Sequence, residues 1–189
     1  MAAAEEPILE AFARYFYLTA EQLRRLLYGQ GSLRYAQDRL KSLMEAGYLL
    51  GVERPPSRHG KAARIYILHT PGRNLVLQMG YVVPPRYRPS EETTKSYRHW
   101  DHVVAAVDCL IAFELLTRAI PGVQLVRMLN ERQLKLPRWT TTVRVPHRHP
   151  ATGVVRTVSD RVQPDGFVDL HLRRGAETHQ ECYYLEADN

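Results

Sequence analysis

The chain has 189 residues, 44% of them apolar and 24% charged, with a net charge of +6, which suits a soluble globular protein of one or two domains and favours a polyanionic partner. The charge is uneven: residues 1–89 carry 13 Lys and Arg against 7 Asp and Glu, whereas residues 90–189 carry 13 against 13. Two cysteines, Cys109 and Cys182, lie far apart in apolar stretches, which excludes a zinc-finger spacing or a disulfide framework and points to a reducing cytoplasm.

In chain order, residues 1–6 lack the basic start and apolar core of a secretory signal. After Pro7, the residues Ile8, Leu9, Phe12, Tyr15 and Phe16 repeat at helical spacing and predict an amphipathic helix. Thr19 with Gln22 three residues later has the form of a capping box, so a second helix starts there, with Leu23, Leu26 and Leu27 on one face. Gly29-Gln30-Gly31 breaks the chain, and Ser32 is suited to cap a third helix. That helix carries Leu33, Ala36, Leu40, Leu43 and Met44 on an apolar stripe. Arg34, Tyr35, Asp38, Lys41, Ser42 and Glu45 lie opposite, with Gln37 at the edge, and Gly47 ends the helix. Residues 48–52 and 64–68 read as strands joined by a hairpin tip with Pro55, Pro56 and Gly60. No acid interrupts the chain from Arg54 through Ser90. Thr70 is suited to cap a further helix, with Pro71 at its first position.

This order is that of a winged helix-turn-helix. In such a module the second helix of the pair meets base edges with its N-terminal residues, and the wing lies along the backbone or minor groove. Base readout is therefore expected of Arg34, Tyr35 and Gln37, and phosphate contact of Ser32 and Lys41, with Asp38 orienting Arg34 or Lys41. Arg54, Arg58, His59, Lys61 and Arg64 are the wing candidates. The same order also serves protein-interaction winged helices, and basic loops are often only solvated surface.

Residues 82–97 are proline-rich and polar and read as a linker between a domain of 1–81 and one of 98–189. Residues 98–119 make a long, largely buried helix, apolar around much of its girdle. Its most apolar run is interrupted by Asp108 and Glu114 and is too short to span a bilayer. Strands are expected at 124–129, 140–145, 166–172 and 181–187, with a loop at 146–164. The fold class is thus α+β: a winged helix followed by a smaller α/β domain with a mixed sheet and one long buried helix.

Acids at the ends of neighbouring strands can converge on a divalent cation. Asp165, in Pro164-Asp165-Gly166, and Glu186 are the candidate metal ligands, with Asp188 as a further catalytic candidate. The Pro-Asp-Gly run is equally a common turn. His99 and His102 are three apart around Asp101, a spacing that permits joint ligation. No further ligand completes a site, so they read as a solvated helix start. His147 and His149 flank Arg148 in a loop.

The runs Leu18-Thr19-Ala20-Glu21-Gln22-Leu23, Arg39-Leu40-Lys41-Ser42-Leu43-Met44-Glu45-Ala46-Gly47-Tyr48-Leu49 and Leu68-His69-Thr70-Pro71-Gly72 resemble the winged-helix part of the replication-relaxation proteins of bacterial plasmids and integrative elements. Gln163-Pro164-Asp165-Gly166-Phe167 and Tyr183-Tyr184-Leu185-Glu186-Ala187-Asp188 are similar to that family's C-terminal signature. The resemblance implies DNA binding in plasmid replication and relaxation. The C-terminal half is also similar to the PD-(D/E)xK nuclease core, which implies Asp165 and Glu186 as metal ligands. Asp188 stands where that core has its catalytic Lys, which favours a nuclease-like fold without cleavage or with altered cleavage. Such a core continues with a further helix and strand, so the chain reads as a fragment.

The sequence therefore reads as a cytoplasmic, dimeric DNA-binding protein of a mobile element, docked on double-stranded DNA, with no membrane partner and no cofactor unless Mg²⁺ serves cleavage. Two alternatives stand beside it: a metal-dependent endonuclease or nickase using Asp165 and Glu186, and a transcriptional repressor with a ligand-sensing C-terminal domain.

Overall fold

The first apolar repeat forms α1, Glu6–Tyr15, and buries Ile8, Leu9, Phe12 and Tyr15. It is seen in a computed structural model that describes residues 5–54, 62–84, 87–136, 141–148, 153 and 155–187. α1 ends at Phe16, whose φ of 64° lies in the left-handed region that bulky residues rarely adopt. Its ring is fully buried and packs 5.8 Å from the Tyr87 ring, so packing holds the turn into β1, Tyr17–Thr19.

Thr19 and Gln22 make the expected capping box at the start of α2, Ala20–Leu23. The expected single helix instead widens into a π-helical turn, Arg24–Tyr28. α3, Leu33–Glu45, has Ser32 at its N-cap position, but the Ser32 side chain makes no capping bond. α3 buries Ala36, Leu40 and Leu43. Leu33, expected on the same buried stripe, is 39% exposed, because it is the first helical residue and lies a turn short of the core. β2, Leu49–Val52, and β3, Ile65–Leu68, pair antiparallel, and β1 adds to β3, giving the order β1-β3-β2. α4, Thr70–Gln78, starts one residue earlier than expected, with His69 rather than Thr70 in the N-cap position and no side-chain capping bond.

Within 82–97, Tyr87 is buried and its hydroxyl donates to the Leu68 carbonyl at 2.7 Å. The short α5, Pro89–Glu92, buries Glu92. α6, Tyr97–Ala119, begins at Ser96, whose hydroxyl accepts from the His99 N–H. It is followed by β4, Val123–Asn130, and α7, Glu131–Leu134, which opens on a second capping box from Asn130 and Gln133. β7, Gly166–Arg174, and β8, Glu177–Leu185, complete a sheet of order β4-β7-β8.

Two expectations are corrected in this half. The mixed sheet is antiparallel at every described pairing. β7 and β8 are joined by a tight turn at Gly175, and a parallel pair would need a crossover of a dozen or more residues. Residues 146–164 are not one loop, because β5, Thr141–Arg148, pairs antiparallel with β6, Val155–Val162. Among the described residues this ribbon has two strands, so each strand has an outer edge at which a proline needs no donor. Both cysteines are exposed despite apolar neighbours in sequence, since Cys109 and Cys182 point away from the packed faces of α6 and β8.

One cluster of buried residues runs through both halves. Ile8, Phe12, Leu40 and Ile67 share it with Trp100, Val107, Ile111, Val168 and Leu170.

Candidate nucleic-acid interface and the junction behind it

The outer face of α3 brings together five of the expected DNA contacts. Ser32, Arg34, Tyr35, Gln37 and Lys41 are all exposed, the Arg34 side chain by 87% and that of Lys41 by 68%. Asp38 lies 3.9 Å from Arg34, and Glu45 lies 3.7 Å from Lys41. Pairs this loose and solvated contribute little, so both cations remain open to another anion. The Tyr35 ring stands edge-on to Tyr28 at 5.1 Å, which orients it at the mouth of the helix.

The residues expected on a wing divide differently. Arg58, His59 and Lys61 lie outside the described residues. Arg54 and Arg64, just beyond β2 and just before β3, already have partners. Arg54 donates to Asp101 at 2.8 Å and to the Ala63 carbonyl at 3.0 Å, and Arg64 donates to Glu53 at 2.6 Å.

The Arg54 pair belongs to a set. All three acids of α6 hold an arginine of the N-terminal half: Asp101 holds Arg54 at 2.8 Å, Asp108 holds Arg25 at 2.7 Å, and Glu114 holds Arg14 at 2.7 Å. Gln22 adds a bond from its side-chain amide to the Val104 carbonyl at 3.1 Å. Glu114 is the buried member. The Tyr15 hydroxyl donates to it at 2.5 Å, and Arg118 binds its other oxygen. Burial alone would raise its pKa, but the Tyr15 and Arg14 bonds outweigh that and hold it below the ordinary glutamate value. Part of the surplus positive charge in residues 1–89 is thus neutralised inside the molecule.

A second buried carboxylate, Glu92, receives the Tyr17 hydroxyl at 2.7 Å and the Lys95 ammonium at 2.7 Å, and it also binds Arg132. The Arg132 guanidinium lies over the Tyr17 and Tyr87 rings at 5.3 and 5.2 Å, a cation–π arrangement. Burial opposes ionisation of Glu92, yet these donors together depress its pKa.

The acids expected to bind metal are placed as follows. Asp165 is buried, and its two oxygens contact His102 Nε2 at 2.6 Å and the Ala187 N–H at 2.8 Å. Beside it, Gly166 packs closely, since a Cβ there would lie 3.0 Å from both Leu110 and Leu185 side-chain carbons. Glu186 is exposed, one residue beyond the Gly166–Leu185 pair and so at the same strand ends as Asp165. Asp188 lies outside the described residues. Among the described residues, no three His, Cys, Asp or Glu groups are placed to share a metal ion. The histidines, expected to be a solvated helix start, are instead partly buried or bound. His102 is bound to Asp165, which outweighs desolvation and raises its pKa. His99 is half-buried with Nε2 lacking a hydrogen-bond partner, and burial together with Lys95 pushes its pKa down to about 4. A cavity of about 20 Å³ beside the His102–Asp165 pair, lined also by Tyr15, Tyr17, Asn130 and Arg132, has room for one water.

The residues that sequence reasoning missed are Asp101, Asp108, Glu114 and Glu92. The available signal was the seven-residue spacing of Asp101 and Asp108, which puts both on one face of a helix.

These elements define an α+β protein in which a helix-and-sheet unit is ion-paired to a long helix backing a second antiparallel sheet. The replication-relaxation family model matches residues 9–189, and the chain belongs to that family. Comparison with curated proteins and with solved structures gives no match. No helix among the described residues is long and apolar enough to cross a membrane.

Proposed function

We propose that the protein binds double-stranded DNA of a plasmid or integrative element through a winged helix-turn-helix and acts in the replication and relaxation of that DNA. The observation that carries this is the exposed polar face of α3, the second helix of a pair that precedes the β2–β3 hairpin. Membership of the replication-relaxation family supports the theme. On this reading α3 enters the major groove. Arg34 and Gln37 read base edges, for which guanidinium and carboxamide groups have matching donors and acceptors. Ser32 and Lys41 contact phosphates, and Tyr35 lies against the bases or sugars. Two copies on a two-fold site would extend the contact.

Anisotropy titrations against duplexes from the element test it. Affinity falls steeply with salt. Arg34→Ala narrows the preference for the specific site, by about 1–3 kcal/mol at one base position. Lys41→Ala weakens binding to all sequences alike and lowers the salt slope by about one. Salt-independent affinity, or affinity untouched by both substitutions, refutes the proposal.

One observation favours a second reading, a metal-dependent endonuclease or nickase: Asp165 and Glu186 sit at adjacent ends of β7 and β8. The described residues fit a metal poorly. The Asp165 carboxylate is bound by His102 and Ala187, and the third position of the nuclease pattern is the anion Asp188. Supercoiled plasmid incubated with Mg²⁺ or Mn²⁺ distinguishes the readings. Nicking that disappears in Asp165→Ala supports the enzyme, and intact plasmid under either metal removes it.

A further inference from the structure

We propose that α6 is an internal stand-in for the DNA backbone: Asp101 and Asp108 hold Arg54 and Arg25 in the free protein and give them up to phosphates when DNA binds. This rests on the DNA-binding reading and adds a regulatory contact to it.

The three cross-pairs differ in a way that sorts their roles. Glu114 is buried, its side chain 6% exposed, and it has three donors. It is the anchor that keeps α6 against α1. The other two pairs reach solvent. The side chains of Arg25 and Asp108 are 34% and 43% exposed, and those of Arg54 and Asp101 are 12% and 34% exposed. The Arg25–Asp108 pair is of the surface kind, held weakly and screened by salt, so a phosphate can replace its carboxylate at little cost. Arg54 is largely buried, and its exchange requires the guanidinium to swing outward from Asp101.

The two arginines also stand where phosphates arrive. Arg25 lies on the first helix of the helix-turn-helix pair, the element that crosses the backbone in such complexes. Arg54 closes the base of the wing, bonding the Ala63 carbonyl across it. Asp101 and Asp108, seven residues apart, set two carboxylates about 10 Å apart along one helix face, so both arginines are held by one rigid element. When Arg54 leaves, the Asp101 carboxylate, whose side chain is 34% exposed, is open to water, so the exchange strands no buried acceptor. The exchange moves no proton and no covalent bond; each guanidinium trades one anion for another. In the free protein the acids lower affinity for non-specific polyanions, and only a backbone that also engages α3 displaces them.

The test uses the full chain with Asp101→Asn and Asp108→Asn together, titrated against a labelled duplex at about 0.1 M salt. A second double variant, Glu177→Gln with Glu181→Gln on β8, makes the same change in net charge at acids that contact His179 and Tyr183 rather than these arginines. Exchange predicts binding about five- to tenfold tighter for the Asn variant and less than about twofold tighter for the Gln variant, because only the first frees guanidinium groups to release counterions. A purely bracing role predicts a lower melting temperature with affinity unchanged or weaker, and that result overturns the proposal. Should the Asn variant fail to fold, Arg25→Ala and Arg54→Ala decide. Each is expected to weaken binding and lower the salt slope by about one, and unchanged affinity in both overturns the exchange. Wild type that binds no duplex sinks the DNA-binding reading and the exchange together. Wild type that binds, with the Asn and Gln variants alike, sinks the exchange alone.

Discussion

Glu114→Gln isolates the link between the two halves. The side chain is 4% exposed and accepts from Tyr15, Arg14 and Arg118. Glutamine keeps the volume, removes the charge and turns one acceptor into a donor. Tyr15, at 1% exposure, cannot find water instead, so its bond drops from charged to neutral, a loss of about 1 kcal/mol. The Arg14 and Arg118 side chains are 36% and 48% exposed and rehydrate in part, so each adds no more than about 1 kcal/mol. The sum, about 2–3 kcal/mol, falls just below the range for breaking a fully buried pair. For a chain of this size it lowers Tm by about 5–10 °C. Thermal melts followed by circular dichroism at pH 7 measure it. The pH dependence supplies a second check. Because Glu114 ionises below its ordinary value of 4.5 in the folded state, its contribution is complete above that pH and is lost as pH falls through the folded pKa. The wild-type and Gln melting curves should therefore converge in acid. A Tm drop under about 2 °C at pH 7, or a gap that stays constant into strong acid, refutes the assignment of Glu114 as the anchor.

Three further outcomes follow from named contacts. His102 should titrate above 6.5 by NMR and return toward it in Asp165→Asn; because its folded pKa is raised, the pair stabilises fully below 6.5 and the contribution fades as pH rises through the folded value, and a wild-type pKa at or below 6.5 contradicts the bond. His99 runs the opposite way, with a pKa of about 4, so its neutral form supports folding above 6.5 and that support is lost as pH falls toward 4; an ordinary titration would show that the ring is solvated. Gly72→Ala should destabilise by about 3 kcal/mol, since a Cβ would lie 2.1 Å from the Tyr48 carbonyl oxygen; a variant melting within about 2 °C of wild type would show that α4 does not hold that approach.

Local chemistry was legible wherever it is decided by neighbours in sequence. The Thr19–Gln22 capping box, the α3 stripe of Ala36, Leu40 and Leu43, and the stop of α6 at Pro121-Gly122 depend on spacing alone, and they stand. Failures came where a tertiary contact outranks local preference. Leu33 has the right phase for burial, but the core ends a turn later. Pro146 reads as a loop residue, yet the ladder from Thr141–Val162 to Arg148–Val155 carries it, since a ribbon edge needs no donor there. The segment 82–97 looks featureless because two of its buried side chains, Tyr87 and Glu92, are anchored by residues far away in sequence, Leu68 for one and Tyr17 and Arg132 for the other.

Charge was the least legible quantity, because a sequence gives totals and not partners. The surplus in residues 1–89 pointed to a polyanion. Within the described residues, Arg14, Arg25 and Arg54 face acids of α6 instead, while Arg34 and Lys41 keep only loose, solvated partners. That contrast sharpens the DNA-binding proposal. If it holds, the cations that matter first are the ones on α3 and the acid-free stretch beyond Arg54, and the number of phosphates neutralised is smaller than the net charge suggests. A salt slope measured on wild type therefore carries information that no composition can. A slope matching the few open cations places the arginines of the junction in the frame of the fold. A slope steeper by about two, one for each released guanidinium, requires Arg25 and Arg54 to have changed partners.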